Sequence, residues 1–267
     1  SCAAPPTRLM LRKTRTGSIL EVTLDRPDAR NALSLALLHE LAEAIRTAEH
    51  DGTRVLVLTG SGQVFASGGD LKELAGHETE EMAQKLLVAG RNVTATLETS
   101  RVVSIAAIQG PAVGGGAELA LACDLRVIDA EAHLCFRHVR LGVTPAWGSL
   151  RRLVAAVGTA QAFAWLALAA NVRATEAYER GLVSTVAPSG ESLQVARIFA
   201  ADLLKGSPSA LAQLKASLFA SSGAQALDDI ERDAFVRSWC SPDHKEAVLA
   251  HFERREPSFS AKPGTGS

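Results

Sequence analysis

Ile108-Gln109-Gly110-Pro111-Ala112-Val113-Gly114-Gly115-Gly116-Ala117-Glu118-Leu119-Ala120-Leu121-Ala122-Cys123-Asp124 is the stretch on which the reading of this chain turns. A short apolar strand over residues 102–108 runs into three consecutive glycines, and a carboxylate follows two residues past the last of them. Glycines carry no Cβ, so the backbone N–H groups here can approach a ligand closely. The run after them has the composition of a buried helix, which puts those amides at a helix N-terminus, where the dipole favours negative charge. Such a device suits a developing oxyanion better than a neutral carbonyl. The plainer reading is that the glycines only let a strand and a helix pack closely.

Working outward, the strands and helices alternate. Ile19-Leu20-Glu21-Val22-Thr23-Leu24 reads as a strand ending at Asp25-Arg26-Pro27, after which Ser34 is placed to cap an amphipathic helix with apolar positions at Leu37, Leu38, Leu41 and Ile45. Val55-Leu56-Val57-Leu58-Thr59-Gly60 is a continuous apolar run of strand length, as expected where both faces are covered. A glycine-containing loop over 61–70 leads into a polar helical segment from Leu71, and a longer helix is expected over 80–99. Leu125-Arg126-Val127-Ile128 and Leu134-Cys135-Phe136 are further short strands, and from Ala160 onward the pattern turns almost wholly helical. This alternation predicts an α/β fold.

Composition removes several classes of function. The chain has 267 residues, 47% hydrophobic and 21% charged, enough for one large domain with a substantial core. A net charge of −1 gives no electrostatic case for nucleic acid or an anionic membrane as partner. No segment reaches the ~18 uninterrupted apolar residues of a spanning helix. Cys2, Cys123, Cys135 and Cys240 show no CxxC or Cys/His ligand spacing, so no metal is expected and a reducing compartment is the simpler inference. The expected location is cytoplasmic, or the mitochondrial matrix if Ser1-Cys2-Ala3-Ala4 is a processed end.

Several separated motifs now point one way: Asp25-Arg26-Pro27 with Arg30-Asn31-Ala32-Leu33-Ser34, then Phe65-Ala66-Ser67-Gly68-Gly69-Asp70-Leu71-Lys72-Glu73, the triple-glycine stretch, Leu141-Gly142-Val143-Thr144-Pro145-Ala146-Trp147-Gly148, and the tail Phe252-Glu253-Arg254-Arg255-Glu256-Pro257. In this order they resemble the crotonase (enoyl-CoA hydratase/isomerase) superfamily over nearly the whole chain. The resemblance implies repeated ββα units in a core domain over 1–200, with a helical region over 201–267 for assembly into homotrimers or dimers of trimers. It implies an acyl-CoA substrate, with no cofactor beyond the coenzyme A that is part of that substrate.

It also implies a shared step, in which the thioester oxygen binds between two backbone N–H groups and an enolate is stabilised there. Those donors correspond to Gly69 and Gly115. Substrate-binding positions carried over by the resemblance are Arg30, Ala32, Ala66, Asp70, Leu71, Lys72 and Trp147. For Arg30 and Lys72 a solvated surface role is equally open, and Trp147 reads as a packing residue on the acyl-pocket wall.

Fold and oxyanion device do not choose the reaction. Hydratases of this family use two glutamates, one two residues past the triple glycine and one in a later segment like F-x-x-P-E-x-x-L-G. Here the first is Glu118, but the second position, counted back from Leu141-Gly142, holds His138. Phe136-Arg137-His138 followed by Pro145-Ala146-Trp147-Gly148 resembles the ethylmalonyl-CoA decarboxylase branch. The leading expectation is therefore a lyase that decarboxylates a short malonyl-type acyl-CoA, with His138 as acid or carboxylate orienter. Arg137 and Arg140 either bind that carboxylate or face outward. The alternatives are a hydratase, dehydratase or isomerase working through Glu118 with His138, and a non-catalytic acyl-CoA- or RNA-binding member. The plain readings remain open too: Glu118 as a dipole-favoured helix-end residue, and His138 as a buried histidine bonded to backbone.

Overall fold

The computed structural model describes residues 10–220 and 224–258. Cys2 and the other opening residues weighed as a processed end lie outside the described residues.

The chain opens with a hairpin, β1 (Leu11–Thr16) antiparallel to β2 (Ile19–Leu24). Helix α1 (Leu35–His50) follows, with Ser34 Oγ accepting the Leu37 N–H and Leu37, Leu38, Leu41 and Ile45 all buried, as the sequence predicts. After β3 (Val55–Gly60) come a single turn, α2 (Leu71–Leu74), and the long α3 (Glu80–Thr99). The polar segment from Leu71 is thus shorter than its composition suggests. Then come β4 (Val103–Ile108), the two-residue β5 (Ala112–Val113), α4 (Gly115–Ala122), β6 (Leu125–Asp129) and β7 (His133–Cys135).

Strands β2, β3, β4 and β6 lie parallel in that order, with β3 and β4 buried on both faces. Alternation assigns the faces. Leu56, Leu58, Ala106, Ile108 and Ile128 join the large core beneath α1, α3 and α4, whereas Val55, Val57, Ile105, Ala107 and Val127 form a smaller core on the other side. The chain is a mixed α/β fold built on a largely parallel sheet.

Beyond residue 148 lie α5 (Ser149–Ala167), β8 (Asn171–Arg173), α6 (Ala174–Glu179), β9 (Thr185–Ala187), α7 (Ser192–Leu203), α8 (Pro208–Ala220), α9 (Ala224–Trp239) and α10 (Pro242–Glu253). The almost wholly helical reading of this part is corrected by two short strands. β9 extends the main sheet beside β6, and β8 joins β5 and β7 in a second, three-stranded sheet. Helix α7 covers the smaller core with Ala196 and Ala200. Helix α9 packs on α3 and α5, bringing a distant part of the chain to the end of the sheet where the glycine stretch lies.

Candidate active site

Each of the three glycines answers a different demand. Gly114 has φ 55° and ψ −122°, a backbone conformation that side-chain-bearing residues avoid. A Cβ on Gly115 would stand 2.5 Å from Cζ3 of Trp147, and one on Gly116 would run into the main-chain carbonyl of Ala66. Close packing is therefore real, and it also delivers amides. Gly115 begins α4, so its N–H and those of the next two residues have no helical acceptor.

A second segment lies alongside. Val113 N–H donates to the Ala66 carbonyl (2.9 Å), and Ala66 forms a bridge with Ala112. On its other side the same segment bonds residue 33: Leu33 N–H donates to Gly68 O (2.8 Å) and Asp70 N–H to Leu33 O (3.3 Å). This is a parallel bridge in which the flanking groups of Gly69 face Leu33, so its own N–H points away from it. A Cβ on Gly68 would lie 3.5 Å from the Gly115 nitrogen, so the two loops touch. The peptides of Gly69 and Gly115 thus lie on adjoining segments, walled by Leu74 and Trp147.

Trp147 is the tightest element of that wall. Its ring is clasped between Gly115 of α4 and Gly90 of α3, neither of which leaves room for a methyl group. Its carbonyl accepts from Thr94 Oγ1 (2.9 Å) and Arg152 Nη1 (2.7 Å), so its backbone is anchored as well.

Glu118, on the first turn of α4, is 2% exposed. Its Oε2 accepts from Trp147 N (2.8 Å), Ala146 N lies 3.3 Å away, and its Oε1 stands 3.0 Å from Nε2 of His138. Burial is the largest influence on this carboxyl and opposes ionisation. The hydrogen bond and charge of His138, the Trp147 N–H and the nearby Ser149 hydroxyl outweigh it, holding Glu118 below the usual carboxylate range. A carboxylate only accepts, so Nε2 carries the proton of the bond. The Nδ1 of the ring is buried without a protein partner. His138 is therefore not the backbone-bonded core histidine that the plain reading allowed. Its ring is bonded to the acidic side chain of α4.

His138 sits on a single 3-10 turn (Arg137–Leu141) that ends at Gly142. The C-terminal helices hold this segment in place. His244 Nδ1 bonds Leu141 O (2.6 Å), the Ser238 hydroxyl accepts from Thr144 N (3.1 Å), and Glu231 Oε1 accepts from Ser149 N (3.1 Å). None of these three was among the residues singled out from sequence. The legible signal was Glu231 itself, an acidic residue spaced i, i+4, i+8 with the buried Phe235 and Trp239 of α9. Burial, then the charge of Glu118, pushes the Glu231 carboxyl up to about 8 against the pull of Arg152, the Leu150 N–H and Arg91.

The remaining predicted positions fall around this centre with unequal freedom. Arg30 and Lys72 are exposed. Ala32 is buried and its carbonyl accepts from Arg26 Nη1 (2.6 Å). Ala66 is buried in the bridge to Ala112, and Leu71 is half-buried at the start of α2. Asp70 caps α2 through Lys72 N (3.2 Å) and pairs with Arg26 (2.8 Å), so its side chain is engaged within the protein. Arg137 and Arg140 are both exposed, the outward-facing arrangement of the two that were open.

Comparison with known proteins agrees with the geometry. Residues 14–262 match the enoyl-CoA hydratase/isomerase family profile. The chain is 34% identical over 252 residues to the 2,3-dehydroadipyl-CoA hydratase of Escherichia coli (strain K12), covering 93% of this chain and 98% of that protein. It is 33% identical over 248 residues to the short-chain-enoyl-CoA hydratase of Clostridium acetobutylicum, covering 91% and 94%. Among solved structures, an enoyl-CoA hydratase from Mycobacterium avium subsp. paratuberculosis K-10 matches with a TM-score of 0.85 at 27% identity, covering 94% of this chain and 99% of that one. A carnitinyl-CoA hydratase from Mycobacterium avium matches equally, at 0.85 and 27%, covering 96% and 100%.

Proposed function

The chain belongs to the enoyl-CoA hydratase/isomerase family, the crotonase superfamily, and on that premise we propose that it adds water across, or removes water from, a 2-enoyl-CoA thioester. The thioester oxygen lies against the Gly69 and Gly115 amides. Glu118 takes a proton from water as its oxygen bonds to Cβ, the enolate charge builds on the thioester oxygen, and Glu118 then passes that proton to Cα, returning to its ionised form. By analogy with other oxyanion holes, each amide contributes about 2.7–4 kcal/mol to the transition state.

The observation that carries this reading is the buried pair of Glu118, on the first turn of the glycine-led helix, and His138 of the 3-10 turn, 3.0 Å apart. Glu118 is held below the usual carboxylate range and so is ionised at neutral pH, as a base must be. His138 fixes Oε1 from one side, and its Nδ1 is buried in the site without a protein partner.

The decarboxylase expectation ranks below this. It asked for a cationic or donor group near the departing carboxylate; of the residues considered, Arg137 and Arg140 are exposed and His138 is bonded through Nε2 to Glu118. An ionised Glu118 would in addition repel a malonyl-type carboxylate. Relatives named as hydratases point the same way.

The test is the loss of enoyl absorbance when purified protein meets crotonyl-CoA. Glu118→Gln is expected to lower the rate by roughly 10²–10⁴, the share of a positioned acid–base group. Turnover that survives this substitution would refute the assignment. Carbon dioxide released from ethylmalonyl-CoA, with crotonyl-CoA untouched, would restore the decarboxylase.

A further inference from the structure

Glu118 and Glu231 both accept hydrogen bonds from the backbone of one turn. Glu118, from α4, takes the N–H groups of Ala146 and Trp147, while Glu231, from α9, takes that of Ser149 three residues beyond Ala146. Gly148, at φ 85°, makes the bend between them. Both side chains are buried, at 2% and 1% exposure. The Ser149 hydroxyl lies near Glu118 without closing a protein hydrogen bond, and Oε2 of Glu231 is likewise buried and unpartnered. Two orphaned polar atoms behind the catalytic candidate, one of them on a carboxyl, call for an explanation.

We propose that Glu231 is the second carboxyl of this site, a positioning residue that retains a proton so that the buried pair carries one negative charge, on Glu118, at neutral pH. Two carboxylates sharing a site do not both ionise readily; one keeps its proton. The groups facing Glu231 decide which one. Glu118 of α4 has His138 and two backbone donors, whereas Glu231 has the amides at the start of α5 and the charges of Arg91 from α3 and Arg152 from α5. Arg152 is itself bound by Glu98 of α3 (2.8 Å), which weakens its claim on Glu231. The anion therefore localises on Glu118 and the proton on Glu231. Its loss at alkaline pH would place a second negative charge behind the position where enolate charge must build.

This role rests on the reading of Glu118 as the proton carrier, so the primary test uses no substrate. Infrared spectroscopy of the intact protein reports the carbonyl stretch of a protonated carboxyl directly. The wild-type band is expected at slightly acidic pH, disappearing with a midpoint near 8. Glu231→Gln, which keeps an acceptor for Ser149 N–H, should remove the band with the circular dichroism spectrum unchanged. Glu118→Gln should move the midpoint toward acid by at least about one pH unit, since the like charge that raises it is gone. A band that survives Glu231→Gln, or a midpoint that ignores Glu118→Gln, would overturn the proposal. In turnover, the alkaline limb of kcat/KM should shift by about one unit or more in Glu231→Gln, and an unmoved limb counts against it. Absence of hydration with a normal infrared titration would instead fault only the proposed reaction.

Discussion

Replacing Gly115 with alanine keeps the amide and adds a single methyl group, which makes it a clean probe of the wall formed by Trp147. The new Cβ would lie 2.5 Å from Cζ3 and 2.6 Å from Cη2 of that ring. Carbon atoms rest at ~3.5–4.0 Å, so the ring must retreat by about 1 Å. It has nowhere to go, because Gly90 touches its other side and its main chain is fixed by Glu118, Thr94 and Arg152. Overpacking of this kind costs about 1–3 kcal/mol. Alanine offsets at most about 1 kcal/mol of that through its better helix propensity, leaving a net loss of about 0–2 kcal/mol. Trp147→Phe removes the outer ring edge that the methyl group strikes. In that background Gly115→Ala should become neutral or mildly stabilising, giving a coupling of about 1–3 kcal/mol in a double-mutant cycle read by urea unfolding. The single variant should also lose roughly 100-fold in kcat/KM, since a shift near 1 Å in the wall carries the Glu118 donors with it. If Gly115→Ala costs the same with Trp147 as with Phe at that position, the steric account is wrong.

Two further outcomes follow from buried charge. The Lys215 ammonium donates to Leu97 O (2.6 Å), Val102 O (3.0 Å) and Asp124 Oδ2 (2.7 Å). Lys215→Met should therefore destabilise by about 3–5 kcal/mol and Lys215→Met with Asp124→Asn by less; a single-variant loss under about 1 kcal/mol in urea would contradict the role assigned to the pair. Glu231 gives a signed dependence on pH. Its folded value is raised from 4.5 to about 8, so the native state holds a proton that the unfolded chain has released across that window. The stability this contributes is complete below ~4.5 and lost as pH rises through ~8, a change of a few kcal/mol. Glu231→Gln should thus gain stability relative to wild type as pH rises through that range, and parallel urea midpoints would refute it.

What the sequence made legible depended on how local each cause was. Strands β3 and β4 could be read because both faces are buried and every residue is apolar or small. Helix α1 could be read from its Ser34 cap and its stripe of leucines. Strand β1 escaped notice because only Leu11 is buried and the rest, Arg-Lys-Thr-Arg-Thr, faces solvent, so its pairing with β2 defines it rather than its own pattern. Strands β8 and β9, at three residues each, are too short to show a period and exist through their partners β7 and β6. The glycines and Glu118 stood out because close backbone approach and a helix-start carboxylate are written in adjacent residues. The hydrogen bond from His138 to Glu118 was not, since it depends on where the 3-10 turn is pinned by α10.

The 142–149 segment explains why the proposed catalytic role and a structural demand fall on the same side chain. It lies between the 3-10 turn and α5, outside any sheet ladder, yet its backbone is largely buried. Buried N–H groups must find acceptors, and here side chains supply them: Ser238 for Thr144, Glu118 for Ala146 and Trp147, and Glu231 for Ser149. A carboxylate able to accept from two amides and a histidine is what the buried turn requires, and those same donors keep it ionised. The group best suited to hold the turn is therefore also held ready to take a proton. On the role proposed for Glu231, the C-terminal helices, for which the family resemblance implied assembly, also set the charge of the site, through contacts made more than eighty residues away in the chain.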